Sequence, residues 1–253
     1  MKFIADFHVH TVSSGHAYST IEEYVARAKK IGLKMFAVTD HGPTMPGAPH
    51  YYHFANLRMV PRKMSGVRIL RGVEANIIND KGEIDLSEEN IAWGELEIVM
   101  VTFHPRCGYE NQGEEKNTEV LIKAIENPRV NIIAHPGNPQ FQVNIRKTVE
   151  AAKRNQVLIE INNSSDFSRP GCHDRCVEFA REAQRQGLKV VVGTDSHIST
   201  MLGDFSNAQK LLKEAGLDKN DVVNTSEAMI DKYLLSKNKY RMEPESKTLG
   251  SIG

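Results

Sequence analysis

The chain has 253 residues, 40% of them hydrophobic, enough to bury one full core and typical of a single α/β barrel domain. Its 32 basic residues balance its 32 acidic ones, and without a dense basic run nucleic acid is excluded as the expected main partner. No apolar run approaches membrane-spanning length, Asp6 and His8 arrive too early for a secretion signal, and three cysteines (Cys107, Cys172, Cys176) suit a reducing compartment, so a cytoplasmic protein with no membrane partner is expected.

Short β-branched runs alternate with amphipathic segments, which predicts seven parallel strands joined by crossover helices, at about 2–7, 34–38, 67–74, 96–102, 131–134, 157–161 and 189–193. The first strand leads to His8 and His10, and its loop carries His16. Thr20 and Glu23 have the spacing of a capping box that opens the first helix, and Gly32 suits its left-handed end. The second strand leads to His41. The third ends in Glu74 and is extended by a hairpin that turns at Asn79-Asp80-Lys81-Gly82. The fourth strand is followed by His104, with Arg106 two residues on, and the fifth by His135. The sixth delivers no metal-competent residue but a polar cluster, Asn162, Asn163, Ser164 and Ser165, and then Arg169. Asp195 and His197 follow the seventh. Gly187 and Gly216 end two later helices, and a final helix runs from past Ser226 to about Ser236. Residues 1–236 read as one domain, and the polar tail 237–253 is expected to be poorly ordered toward its end.

The ten histidines are the unusual feature. Six of the seven strands deliver a metal-competent side chain at the carboxyl end, the rim where parallel barrels assemble their active sites. His8-Val9-His10 reinforces this, because side chains two apart on extended backbone share a face and reach one ion. Arg106 and Arg169 are candidate substrate-binding residues, against the plainer reading of solvated arginines. His50 and His53 are placed to line a pocket entrance, whereas His173 reads as surface. Asp6 and Asp40 are candidates for carboxylates that fix the tautomer of ligating histidines. Cys172 and Cys176 stand one helical turn apart, and the plain reading is preferred over a thiolate metal site.

Five segments together resemble the polymerase and histidinol phosphatase (PHP) superfamily: Asp6-Phe7-His8-Val9-His10, Thr39-Asp40-His41-Gly42, Leu70-Arg71-Gly72-Val73-Glu74, Ala134-His135-Pro136-Gly137-Asn138-Pro139 and Thr194-Asp195-Ser196-His197. More narrowly, His16-Ala17-Tyr18-Ser19-Thr20, Asp40-His41-Gly42-Pro43 and Glu160-Ile161-Asn162-Asn163-Ser164-Ser165 resemble its YcdX-type phosphatases. The likeness runs from residue 1 to about 236. It implies a distorted (β/α)7 barrel, similar to a TIM barrel, and a trinuclear zinc site. Carried over by position, His8, His10, Glu74 and Asp195 hold the first ion, Glu74, His104 and His135 the second, and His16, His41 and His197 the third.

Seven imidazoles and two carboxylates form a nitrogen-rich set, which favours Zn, Mn or Fe over Mg or Ca. Three divalent ions against two carboxylates leave an excess of four positive charges, or three with a bridging hydroxide. A phosphate monoester dianion neutralises most of that excess and a neutral amide does not. The expected activity is therefore hydrolysis of a small phosphorylated substrate by a metal-bridging hydroxide. Glu74 would bridge two ions, and Asp195 would act as ligand or proton carrier. Histidinol phosphatase, a metal-dependent exonuclease and a catalytically silent metal-binding regulatory module are the alternatives, and a homo-oligomer is left open.

Overall fold

The computed structural model describes residues 1–237; most of the tail singled out above, 238–253, lies outside the described residues. All seven expected strands form: β1 (Ala5–Val9), β2 (Met35–Val38), β4 (Val67–Asn76), β5 (Ile98–Thr102), β6 (Ile132–Ile133), β7 (Leu158–Asn162) and β8 (Val190–Gly193). They pair in parallel in the order β1-β2-β4-β5-β6-β7-β8. A two-residue strand, β3 (Lys63–Met64), adds antiparallel to the start of β4 and was not foreseen. The hairpin beyond β4 does form, with Ile77 opposite Ile84 and Gly82 N–H donating to the Asn79 carbonyl at 3.1 Å.

The helices are α1 (Ile21–Ile31), α2 (Tyr51–Asn56), α3 (Glu88–Trp93), α4 (Glu114–Ile125), α5 (Ile145–Arg154), α6 (Ser165–Ser168), α7 (His173–Gln186), α8 (Ser206–Ala215) and α9 (Glu227–Ser236). The capping box at α1 is present as expected: Glu23 N–H donates to Thr20 Oγ1, and Thr20 N–H donates back to Glu23 Oε2. Among the described residues, no helix is long and apolar enough to cross a membrane.

Side-chain alternation along the strands builds two cores. Val73, Ala75, Val99, Val101, Ile159, Ile161, Val190 and Val192 belong to the large core shared with the helices. Ala5, Phe7, Met35, Ala37, Leu70, Ile98, Met100, Ile132, Ala134, Leu158 and Val191 form a second, smaller core inside the barrel. Val223 and the α9 residues Ile230 and Leu234 complete that inner core.

The barrel is nearly closed between its first and last strands. The seam is one parallel bridge, Val9 to Ser196, with His10 N–H donating to the Ser196 carbonyl at 2.8 Å and Ser196 N–H to the His8 carbonyl at 3.3 Å. Tyr24 of α1 clamps it, its buried hydroxyl lying 2.8 Å from the His10 carbonyl and 3.0 Å from that of Ser196. An irregularity in β1 also matters. Its register against β2 slips between Asp6 and Val9, so Phe7 joins the inner core while Val9 joins the outer one. Such a bulge re-aims side chains, and here the consecutive residues Phe7 and His8 both turn inward. His8 thus lies on the strand and not after it.

Leu234 is fully buried within the inner core. Leu234→Ala is expected to lower the unfolding free energy by about 2–5 kcal/mol in a urea titration, and a loss under about 1 kcal/mol would show that α9 is not integral to the barrel.

Candidate metal centre

The inner face of β4 ends in Glu74, a fully buried carboxylate at the carboxyl rim. Five imidazoles surround it. Its Oε1 lies 2.7 Å from His135 Nε2 and 3.8 Å from His104 Nε2. Its Oε2 lies 2.8 Å from His41 Nδ1, 3.4 Å from His8 Nε2 and 3.5 Å from His10 Nε2. Asp195 faces the same space, with Oδ1 3.2 Å from His10 Nε2, 3.6 Å from His8 Nε2 and 3.7 Å from His197 Nδ1. His16 Nε2 is 3.2 Å from His41 Nε2, and its ring stacks on that of His197. All nine residues expected from the sequence are therefore brought together.

Three overlapping triads have donor atoms within 4.8 Å of one another: His8, His10 and Glu74; His41, Glu74 and His104; and His10, His41 and His197. His10 and His41 each serve two triads, a tighter interleaving than three separate ligand sets imply.

The donor set fits divalent cations. His8 Nδ1 is 2.8 Å from Glu160 Oε1 and His10 Nδ1 is 3.2 Å from Ser14 Oγ, so both rings place Nε2 toward the centre, 2.9 Å apart. Two bare lone pairs at that distance repel, so a proton or a metal cation lies between them. Likewise His41 Nδ1 and Glu74 Oε2 are buried and 2.8 Å apart, yet in a geometry that makes no hydrogen bond, an arrangement that a cation bound to both would relieve. The protonation pattern agrees. Burial opposes charge on Glu74, but His8, His104, His41 and the bond from His135 hold it well below the usual carboxylate range. Asp195 is held low in the same way, burial being outweighed by His8, His10 and Arg169. Burial, with the neighbouring His41, pushes His10 down to about 3, and burial lowers His104 and His135. Burial acts against charge on His8 too, yet Glu160, Glu74 and Asp195 raise it well above the ordinary histidine value. Ionised carboxylates with neutral His10, His104 and His135 match the ligand state that metals require; His8 is the exception, and the negative field that favours its proton would favour a metal cation in its place.

Two residues of this cluster, at strand ends, carry backbone that L-residues rarely adopt: His135 has φ 32° and Asp195 has φ 56°. Strain of this kind persists where the surroundings over-determine it. Thr194, next to Asp195, is fixed by Asp6, which accepts from Thr194 N–H at 2.9 Å and from the Thr194 hydroxyl at 2.6 Å. Asp6 also accepts from the backbone of His8 and Gly203, and burial pushes its pKa up to about 6. It holds backbone and touches no imidazole, unlike the role expected for it. Asp40 does act on a histidine, through Ser14.

Arg169, at the end of α6, lies 3.3 Å from Asp195 Oδ2 and joins the centre. Arg106 is exposed, and among the described residues its side chain has no hydrogen-bonded or ionic partner. His50 caps α2, His53 meets Asp40, and His173 is an exposed residue between Asp166 and Glu214. Cys172 and Cys176 are buried free thiols outside the three triads.

Residues 6–164 match the family model described as PHP domain. The chain belongs to the PHP domain family. It is 49% identical over 237 residues to a protein of Acetivibrio thermocellus named "Probable phosphatase", covering 94% of this chain and 97% of that one. It is 43% identical over 242 residues to a protein of the same name from Clostridium acetobutylicum, covering 95% and 98%. Among solved structures, histidinol phosphate phosphatase from Lactococcus lactis, in complex with zinc, L-histidinol and phosphate, is similar with a TM-score of 0.62 at 19% identity, covering 85% of this chain and 94% of that one. A dihydroorotase is similar with a TM-score of 0.52 at 14% identity, covering 91% and 70%. These two likenesses concern the fold, which hosts more than one chemistry.

Glu160 stands within a family-like motif, but sequence reasoning gave it no place at the centre of this PHP domain. It is buried on β7, with Oε1 on His8 Nδ1 and Oε2 accepting from His135 N–H at 2.8 Å and from Asn162 Nδ2 at 3.2 Å. The signal was available: in Leu158-Ile159-Glu160-Ile161-Asn162 the inward positions switch from apolar to polar as the strand nears the rim. Gly193 makes room for it, since a Cβ there would stand 2.3 Å from Glu160 Oε1 and 2.4 Å from His8 Cβ. Gly193→Ala is expected to destabilise the fold by about 1–3 kcal/mol and to lower metal content. Thermal melts and elemental analysis matching wild type would refute the crowding.

Proposed function

We propose that this protein is a metal-dependent phosphatase that hydrolyses small phosphate monoesters at a trinuclear, zinc-type centre. The observation that carries the reading is the convergence of seven imidazoles on only two carboxylates, Glu74 and Asp195. A nitrogen-rich set suits Zn, Mn or Fe. Loaded with three divalent ions it keeps an excess of positive charge, most of which a phosphomonoester dianion neutralises. The relatives named phosphatases support this, as does the zinc- and phosphate-bound histidinol phosphate phosphatase of similar fold.

His8, His10, Glu74 and Asp195 would hold one ion, Glu74, His104 and His135 a second, and His16, His41 and His197 a third. Ions bound there would supply a water with a pKa near about 7 and positive charge toward the phosphoryl oxygens. The chain's own groups do the rest. Glu74 presents one oxygen to His135 and His104 and the other to His41, His8 and His10, so it ties the first two sites together. Asp195 is fixed through Oδ2 by Arg169 and Asn162, which leaves Oδ1 to the centre. Held low, it accepts hydrogen bonds and orients, and is no general acid at neutral pH. Arg169, a mostly buried guanidinium beside Asp195, is the cation placed to meet a phosphoryl oxygen.

Purified protein is expected to carry two to three equivalents of transition metal by elemental analysis, and to lose p-nitrophenyl phosphate turnover on chelation with recovery on adding Zn or Mn. Under one equivalent, with no uptake on addition, would overturn the reading. A panel including L-histidinol phosphate then defines the substrate. Glu74→Gln removes the charge that ties two sites and is expected to lower kcat by at least about 100-fold, more than 2.7 kcal/mol, while the circular dichroism spectrum stays unchanged. Near-wild-type turnover would show that Glu74 is not shared.

A further inference from the structure

His53 is a histidine the catalytic reading leaves unused, and it ends a continuous line of hydrogen bonds that begins at the metal centre. His10 Nδ1 lies 3.2 Å from Ser14 Oγ, Ser14 Oγ lies 2.7 Å from Asp40 Oδ1, and Asp40 Oδ2 lies 3.1 Å from His53 Nε2. His10, Ser14 and Asp40 are fully buried, and the His53 side chain is 23% exposed.

Donor and acceptor counting fixes the direction of this line. Asp40 accepts at Oδ1 from Thr11 N–H and the Ser14 hydroxyl, and at Oδ2 from the Thr11 hydroxyl and His53. Ser14 has a single hydrogen, which goes to Asp40. Its oxygen must therefore accept, from His41 N–H at 3.1 Å and from His10 Nδ1. His10 consequently carries its hydrogen on Nδ1 and turns Nε2 toward the centre as a bare lone pair.

His53 is held in place by packing. Phe54, its neighbour on α2, is fully buried, and a Cβ on Gly94 would stand 2.0 Å from the Phe54 carbonyl oxygen, so α2 docks on the end of α3 only because residue 94 is glycine. Beyond His53 lies an open cavity of about 620 Å³, lined also by Ile21, Glu22, Tyr52 and Asn56. His53 thus stands between that cavity and Asp40.

We infer that His53 is a positioning residue of the metal centre: acting through Asp40 and Ser14, it holds His10 in the tautomer and orientation in which Nε2 binds an ion. The inference rests on the phosphatase reading in taking His10 as a ligand. Without His53, Asp40 Oδ2 keeps only the Thr11 hydroxyl and is left open toward the cavity, so the carboxylate that takes the Ser14 hydrogen, and through it sets the His10 tautomer, is less firmly held.

The test is zinc affinity of the full chain by chelator competition, with p-nitrophenyl phosphate kinetics alongside, for wild type, His53→Ala, His53→Gln, Ser14→Ala and the double variant His53→Ala with Ser14→Ala. His53→Ala is expected to weaken zinc binding by about 10–100-fold, whereas His53→Gln, whose amide can still donate to Asp40, stays within about threefold of wild type. Ser14→Ala is expected to reproduce the loss, and the double variant to be no worse than Ser14→Ala, because residues on one line do not add. Wild-type zinc affinity in His53→Ala, or losses that multiply in the double variant, would overturn the inference. Wild-type protein that binds no zinc would overturn the phosphatase reading instead, so the two failures are distinct.

Discussion

A carboxylate with five imidazoles around it is the constraint on which the rest of the structure depends. Ionised and fully out of water, Glu74 would cost several kcal/mol if left unpaired. Four of the five rings near it have a support behind them. Glu160 stands behind His8, Ser14 with Asp40 behind His10, Asn76 behind His104, and Thr102 behind His135. The supports come from β4, β5, β7 and the loops after β1 and β2, so the site is a product of the closed sheet and not of any one loop.

The two-core barrel explains how so many polar groups gather without spoiling the interior. Inward positions low in the barrel are Phe7, Leu70, Met100 and Leu158, and the same faces one or two steps further on carry His8, Glu74, Thr102 and Glu160. The change from apolar to polar happens along each strand at about the same height. On β1 the register slip makes the change abrupt, and that is why His8 and Phe7 can share a side.

Much of this was legible in the sequence, and the misses have physical causes. The strands of the barrel core appear as β-branched runs because both their faces are buried, and the residues after them stand out because histidine is otherwise rare. Glu160 was quoted in a motif but given no role because it sits inside the sixth strand, where a carboxylate's role is visible only once the inward face is known. The slip in β1 has no sequence signature of its own, so that strand was placed at 2–7 where Ala5–Val9 forms. β3 is too short for any periodicity. The sharing of His10 and His41 between triads depends on side-chain distances to within an ångström, which spacing along a chain does not encode. Arg106 follows His104 as closely as His10 follows His8, yet a left-handed backbone at φ 68° lies between strand and side chain.

The seam between β1 and the end of β8 carries one further consequence. Two backbone hydrogen bonds, the Tyr24 clamp and the bonds from Thr194 to Asp6 tie it, and His8 and His10 stand on one lip of the opening and Asp195 and His197 on the other. On the proposed reading, a cation held by both lips would suture the beginning of the fold to its end, over more than 180 residues of intervening chain. Occupancy and foldedness then become one thermodynamic property: at a free metal concentration about a thousand times the dissociation constant, closure gains on the order of 4 kcal/mol by mass action alone. In a cell, such a chain would report metal scarcity first as a shortened lifetime of the protein and only afterwards as a slower reaction.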